Sequence, residues 1–411
     1  MSKIFIGLID IASVIEDWKF GFKKLGIDTI TASHGHMTPM HRNKVDYDID
    51  KLFPLKFFPG VRPRKLQAYL QDRANPAKNF VFRKALRECD IFVYIFRGFY
   101  KDFKDFEIIR DRGKKLVYIF TGGHERWYYA AKQEFDKFAM NPMEINPEYY
   151  STLDYLENSL RIVRNVEKYA NCIWSLPEQS QLLFRPYYRF DIPLNVDNYI
   201  CKSSQKKIPL IIHASSSPIF KGTKYILDTI KKLEKEGVEF EFEMIHNMPH
   251  EKALERYKQC DIIVNQLFAP GGGKLAIEGM AMGKVMLTFQ GYEYGYDQKV
   301  PKDCPIVDVD KQNITDKLRD IIKNVELRQK LAEAGPAYVR EHHSAEKCAK
   351  TLLDNLDDNN LNPDFTPTFF RNDFIPESAP SIEIYNKWTQ HVKNCDWYKQ
   401  IEPGERAGLI F

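Results

Sequence analysis

The sequence predicts an α/β fold built from two doubly wound units, and three observations carry that prediction. Short apolar runs alternate with longer segments of helical period over most of the chain, the pattern of parallel sheets covered by helices on both faces. A stretch rich in Pro, Asn, Ser and Lys, residues 185–207, interrupts the alternation, which then restarts. The length, 411 residues of which 44% are hydrophobic, suits about two to three ordinary domains with a sizeable core.

In the first half, strands are expected at 3–8, 27–31, 91–95, 115–120 and 172–175, with helices including 14–24, 102–112 and 153–169 between them. After the linker the expected order is strand 209–213, helix 223–236, strand 240–246, helix 251–259, strand 261–265, helix 275–282 and strand 285–288. Helices at 314–324 and 336–355 close this second unit. Residues 357–378 have loop composition, and Ile382, Tyr385, Trp388 and Val392 then recur at helical spacing. The expected domains are 1–190, a linker 191–207, a second domain 208–356, and a tail 357–411 whose helix returns to the first domain. Ligands of such sheets bind at the carboxyl edges of the strands, so functional residues are sought there.

Charge and spacing argue against several classes. Lys+Arg 60 against Asp+Glu 56 leaves a net charge of +4, which disfavours whole-chain electrostatic binding of nucleic acid. No window approaches the roughly 20 uninterrupted apolar residues of a membrane span. The first residues reach Asp10 through a short apolar run with no small-residue cleavage site and read as a strand; a cytoplasmic location is expected, with a peripheral place on the inner face of the membrane left open. Seven cysteines, none closer than Cys172 and Cys201, exclude Cys-x-x-Cys chemistry and are expected to be reduced and mostly buried. The segment Gly7-Leu8-Ile9-Asp10-Ile11-Ala12 lacks the Gly-x-Gly-x-x-Gly of a dinucleotide site. The Gly-Lys pairs at 113, 273 and 283 are followed by Lys, Leu and Val, so there is no phosphate-binding loop of the ATPase kind.

The densest signal is 265–285, which reads Asn-Gln-Leu-Phe-Ala-Pro-Gly-Gly-Gly-Lys-Leu-Ala-Ile-Glu-Gly-Met-Ala-Met-Gly-Lys-Val. A buried strand ends in Gly271, Gly272 and Gly273 and opens a helix, so unencumbered amides and the positive end of the helix dipole meet at one point. That is an anion site. Glu278, within about two turns of the helix start, can accept hydrogen bonds from a ribose diol. The alternative is a tight turn followed by a solvated carboxylate.

Residues 278–285 resemble the Glu-Ala/Gly-Met-Ala-x-Gly-x-Pro-Val signature of the GT-B retaining glycosyltransferases, the large group that includes many bacterial capsule and lipopolysaccharide assembly enzymes, with the Pro absent. Residues 213–217 with Lys221-Gly222-Thr223 resemble that family's first loop of the second domain. Tyr257 with residues 260–264 resembles the helix and strand before its donor loop, and 89–92, 113–117 and 121–126 resemble first-domain segments. The resemblance spans about residues 4–356. It implies two Rossmann-like domains facing across a cleft, and transfer of a sugar from a nucleotide diphosphate to a glycan or lipid-linked acceptor, with retention and without metal or cofactor. The implied donor set is Lys221, Ser215, Ser216, Gln266, Gly271, Gly272, Gly273, Glu278 and His246. In it Lys221 and the glycines hold the diphosphate, Glu278 the ribose, and His246 lies near the base. The acceptor would enter past Asp10, His124 and Arg126, and nucleic acid is not expected as a partner.

Two departures bear on activity. The family has a second glutamate separated by seven residues from the one matched by Glu278, and here that place holds Pro270. The basic residue five positions before Lys221 is Ser216, a change worth on the order of 1 to 3 kcal/mol at a dianionic site unless Ser215, Ser217 or Lys224 compensates. A catalytically silent subunit binding a partner enzyme, and a sugar-nucleotide epimerase or hydrolase, are therefore the alternatives. His213 is a second candidate cleft histidine and His246 is as readily structural; the pair His342 and His343 is expected to face solvent. Asp308-Val309-Asp310 resembles a metal motif of the other glycosyltransferase fold but marks a strand end before a helix, and no metal is assigned.

Residues 61–110 hold twelve basic residues against six acidic, a local excess larger than that of the whole chain. Phe96, Phe99, Phe103 and Phe106 are spaced to share one side of a helix. They would either pack on the sheet or form a face for an anionic membrane surface.

Overall fold

The computed structural model describes residues 3–35, 44–53, 75–135, 142–201, 206–215, 217–246, 248–292, 300–357, 364 and 382–390. The chain divides into two compact units. Unit 1 comprises Met1–Trp127, Thr152–Phe190 and Cys348–Phe411, and unit 2 comprises Tyr128–Ser151 and Asp191–Lys347. Residues 128–151 thus fall with unit 2 although they precede the 191–207 stretch.

Unit 1 is built on strands β1 (Ile4–Leu8), β2 (Thr29–Ser33), β3 (Tyr47–Asp48), β4 (Ile91–Ile95), β5 (Lys115–Ile119), β6 (Cys172–Ser175) and β7 (Tyr188–Arg189). They form one parallel sheet in the order β3-β2-β1-β4-β5-β6-β7. Every residue of β1 and β4 is buried, as expected of strands covered on both faces. Helix Val14–Lys24 packs Val14, Trp18 and Phe22 inward at helical spacing. Helix Pro76–Glu88 starts where Asn75 accepts from the Lys78 amide at 3.0 Å and Pro76 occupies the first turn, a signal the sequence carried. Helix Ile382–Thr389 lies beside helix Leu153–Tyr169: Lys387 Nζ and Trp388 Nε1 both donate to Glu157 Oε1, at 3.0 and 3.3 Å.

Aromatic side chains fill much of the described core of this unit. The expected helical stripe does not exist: the helix is Lys104–Asp111, so only Phe106 lies on it, and Phe96 and Phe103 have φ of 68° and 61° in the segment before it. Phe99, Phe103 and Phe106 are all buried. Phe99 sits 5.0 Å from Phe82 and 5.2 Å from Phe5, and Phe106 5.4 Å from Tyr94, ring centre to ring centre. The structure thus corrects the helical spacing and decides for core packing at these rings. Arg62, Arg64, Lys65 and Arg73 of the basic stretch lie outside the described residues.

Unit 2 contains β8 (Leu210–Ser215), β9 (Glu241–His246), β10 (Ile262–Val264), β11 (Val285–Thr288) and β12 (Val307–Asp308), parallel in the order β12-β11-β10-β8-β9. The chain departs from β8 to opposite sides, β9 on one and β10 on the other. The loops after β8 and β10 therefore part at the carboxyl edge and leave the crevice in which such sheets bind ligands. The helix expected at 336–355 is two helices, Val325–His342 and Ala345–Asp357. Asn324 caps the first at the Leu327 amide, 2.9 Å. The break falls where the chain around Leu194 pairs with Ser344: Leu194 N donates to His343 O and Ala345 N to Leu194 O. His343 is consequently buried, its Nδ1 3.2 Å from Ile192 O, contrary to the solvent-facing expectation. Among the described cysteines Cys89, Cys172, Cys260 and Cys348 are buried, and all six are free thiols.

Candidate functional site

At the edge of unit 2, the loop after β10 turns through Gly271 and Gly273 at φ of 82° and 57°, a region that disfavours side chains. At Gly272 between them, an added Cβ would lie 2.1 Å from the Ala276 Cβ. Gly273–Ala281 is the helix that follows. Among the described residues no acceptor meets the amides of Gly271, Gly272 or Gly273, so three N–H groups stand open at a helix N-terminus. Two side-chain amides hold the loop from behind. Gln266 Nε2 donates to Ala269 O and Gly271 O at 2.9 and 2.6 Å, and Asn265 Nδ2 donates to Gly272 O at 2.7 Å. Gln266 thus shapes the loop.

The same segment explains the helix end. Gly283 N donates to Met280 O and Lys284 N to Gly279 O, at 3.0 and 2.9 Å, with Gly283 at φ 70°. This is the glycine-terminated stop that returns the chain to β11. Gly279 lets the helix lie on Met286 and Ile263, and Gly335 packs on the backbone of Met280.

Lys221 ends the short helix Pro218–Lys221 in the loop after β8. Its ammonium donates to Ala214 O at 3.0 Å and Asn265 Oδ1 at 2.8 Å, and both acceptors are neutral. Burial pulls its pKa down to about 8, and among the described residues no carboxylate offsets it. An ammonium that is withdrawn from water and given only neutral partners is poised for an anion. Ser215 is buried, its Oγ without a partner among the described residues, and Ser216 lies outside them.

Glu278 is buried and held by two side chains: Tyr199 Oη donates to Oε1 at 2.9 Å, and His250 Nε2 lies 3.0 and 3.2 Å from the two oxygens. It is therefore oriented, where the sequence allowed a solvated residue. His246 is exposed at the end of β9, its Nδ1 donating to Ser215 O at 2.9 Å. His213 is corrected: it is fully buried, Nδ1 donates to Val264 O at 2.8 Å, and Nε2 is left to accept from Thr223 Oγ1 at 2.9 Å. Burial takes its pKa down to about 4, so it is a neutral strap between β8 and β10. Asp308 and Asp310 are committed to turns: Asp308 accepts from the Gln290 and Tyr292 amides, and Asp310 from those of Gln312 and Asn313. Among the described residues no cluster of His, Cys, Asp and Glu has metal-binding geometry.

In unit 1, β5 leads into Thr121-Gly122-Gly123-His124-Glu125-Arg126. Gly122 and Gly123 have φ of 98° and 121°. The turn closes when Glu125 Oε1 accepts from the Gly122 amide at 3.1 Å and Gly123 O accepts from Tyr155 Oη at 2.6 Å. His124 lies 4.4 Å from the Phe96 ring, at the end of β4, and its Nδ1 has no partner among the described residues. Burial, then the Arg161 and Arg97 charges, take its pKa to about 4, leaving a neutral imidazole able to hydrogen-bond a hydroxyl at neutral pH. Arg126 follows on the same loop, its N–H on Gly123 O. Asp10 follows β1, where Oδ1 accepts from the Ile15 amide at 3.1 Å and caps helix Val14–Lys24. The sequence left Asn265, Tyr199, His250 and Glu125 without roles. Only an acidic residue beside a double-glycine turn could have pointed to the last of these.

No protein-family model and no curated protein matches the sequence. Solved structures do resemble it. An alpha-glucosyltransferase in complex with UDP-glucose and DNA containing an abasic site is 11% identical, with a TM-score of 0.57 over 87% of this chain and 100% of that one. Anabaena HepE in complex with UDP-glucose is 12% identical, with a TM-score of 0.51 over 87% and 99%. Sucrose-phosphate synthase from Thermosynechococcus elongatus is 10% identical, with a TM-score of 0.55 over 86% and 98%. These neighbours are GT-B glycosyltransferases, and this chain, with its two parallel α/β sheets, has their fold.

Proposed function

We propose that the protein is a glycosyltransferase that moves a sugar from a nucleoside-diphosphate donor to a glycan or lipid-linked acceptor, with retention at the transferred carbon. The observation that carries the reading is the pairing, at one sheet edge, of three amides unpartnered among the described residues with a partly buried Lys221 whose hydrogen-bond partners among those residues are neutral. When the bond from the sugar to the diphosphate breaks, negative charge grows on the departing phosphate, and preorganised amides and a desolvated ammonium are suited to receive it. This set needs no resident metal for that task. Glu278, aimed by Tyr199 and His250, retains lone pairs for a ribose diol. His124 and Arg126, on the glycine turn after β5, are offered as the acceptor-side groups together with Asp10, which follows β1. Uridine nucleotides come first for testing, because two of the similar structures hold UDP-glucose. Among the described residues no helix is long and apolar enough to cross a membrane.

The test is turnover of nucleotide sugars with and without a panel of glycans, lipid-linked saccharides and DNA. Product formed only with an acceptor supports transfer, and donor consumed equally without one favours a hydrolase or epimerase. Pro270, in place of the glutamate expected there, favours the silent-subunit reading, which nucleotide binding with no turnover of any donor would support.

A pH dependence follows from Lys221. Its folded pKa, about 8 without ligand, lies below the ordinary lysine value, and an anion favours the charged form. Nucleoside-diphosphate affinity is expected to hold up to about pH 8 and then fall by up to about tenfold per pH unit. Calorimetry between pH 7 and 9.5 checks this, and a flat profile would remove Lys221 from the site.

A further inference from the structure

Asn265 stands between the two halves of this anion site. It follows β10, is 1% exposed, and its backbone N–H donates to Leu287 O at 2.8 Å. Its side-chain amide can face only one way. Oδ1 meets the Lys221 ammonium at 2.8 Å and Nδ2 meets Gly272 O at 2.7 Å, and a flipped amide would set NH2 against the ammonium and oxygen against the carbonyl. Nδ2 also lies 3.5 Å from Thr288 Oγ1.

Two consequences follow. A lysine ammonium has three hydrogens, and Ala214 O and Asn265 Oδ1 take two, leaving one for a ligand together with the whole positive charge. In a planar trans peptide the C=O and the following N–H point in opposite directions. With Gly271 O drawn to Gln266 and Gly272 O drawn to Asn265, the amides of Gly272 and Gly273 are turned to the other side of the loop.

We propose that Asn265 is a positioning residue of the diphosphate site, setting the Lys221 ammonium and the glycine-loop amides in register for one anion while leaving the lysine charge unspent. The inference rests on the reading of this edge as a nucleoside-diphosphate site. It accounts for a neutral amide at a place where a carboxylate would be the stronger partner for a partly buried lysine. An aspartate there would neutralise the ammonium and repel Gly272 O.

The test is Asn265→Asp, nearly the same shape, titrated by calorimetry with the diphosphates, monophosphates and nucleosides of uridine, guanosine and adenosine. Affinity for the diphosphate that the wild-type chain binds is expected to fall about 10- to 100-fold, the matching monophosphate less, and the nucleoside not at all. In a Lys221→Met background the same change should cost much less, because the charge it opposes is gone. An equal loss for diphosphate and nucleoside would mark a merely structural residue and overturn the proposal, as would unchanged diphosphate affinity. Should Asn265→Asp not fold, Asn265→Ser, which removes the clamp without adding charge, must still weaken the diphosphate more than the nucleoside. A wild-type chain that binds no nucleoside diphosphate overturns the underlying reading and this proposal with it.

Discussion

Replacing Lys221 with methionine is expected to weaken nucleoside-diphosphate binding about 100-fold with little change in the stability of the fold. The affinity loss is that of the one charge-assisted hydrogen bond left to the ammonium together with its charge, about 1.5 to 3 kcal/mol, the upper end of which is about 100-fold. Stability changes little because two effects of similar size oppose. Holding the ammonium charged with a pKa near 8 costs the folded state about 3 kcal/mol relative to an ordinary lysine, and methionine removes that cost. Against this, Ala214 O and Asn265 Oδ1 lose their donor, about 1 to 3 kcal/mol. Calorimetry with thermal unfolding separates the readings: lost affinity at unchanged stability marks a binding residue, and lost stability at unchanged affinity marks a structural one. The fall in affinity above about pH 8 should vanish in the same variant.

The second large effect concerns Glu125. Its carboxyl is fully buried, with Oε2 unpartnered among the described residues, and burial raises its pKa to about 7 despite the nearby Arg126. A carboxyl whose folded pKa lies above its unfolded value stabilises the fold below about pH 4.5, and that contribution is lost as pH rises through about 7. The unfolding transition of unit 1 should therefore lose on the order of 3 kcal/mol between pH 4.5 and 8 from this residue alone. Glu125→Gln should remove most of that slope, raising stability at pH 8 and changing little at pH 5. Denaturant melts at both pH values check this, and parallel slopes for the two proteins would contradict it. Such a cost beside His124 and Arg126 fits a turn kept for its geometry, since Glu125 Oε1 closes the Gly122 turn.

How much of this was legible differs by element. The glycine loop, the helix after it and Glu278 were readable because all the chemistry is local: glycines at left-handed φ, open amides, and a stop at Gly283 within one 21-residue segment. The alternating strands were readable because parallel strands buried on both faces are continuous apolar runs. Helix Pro76–Glu88 was missed although Asn75 and Pro76 announced it. Most of the misses lay in contacts between distant residues. Asn265 finds Lys221 from 44 residues away and Tyr199 finds Glu278 from 79, and no local pattern encodes either pair. His213 looked like a cleft residue because the expected strand ended at it, but β8 runs on to Ser215, and partners on β10 and on helix Thr223–Lys235 consume both ring nitrogens. The Phe96 to Phe106 spacing imitated a helix, but the segment before Lys104 is irregular, with positive φ at Phe96 and Phe103, and buries Phe99 and Phe103 without helical geometry.

In the reading proposed above, the edge of the unit 2 sheet binds a nucleoside diphosphate through Lys221 and the amides of Gly271, Gly272 and Gly273. The most direct measurement is a calorimetric titration of the full chain at pH 7 with UDP, GDP and ADP, alongside Lys221→Met. Saturable binding of at least one of them, weakened about 100-fold in the variant, is the expected result. Binding of none, or binding that Lys221→Met leaves intact, would contradict it.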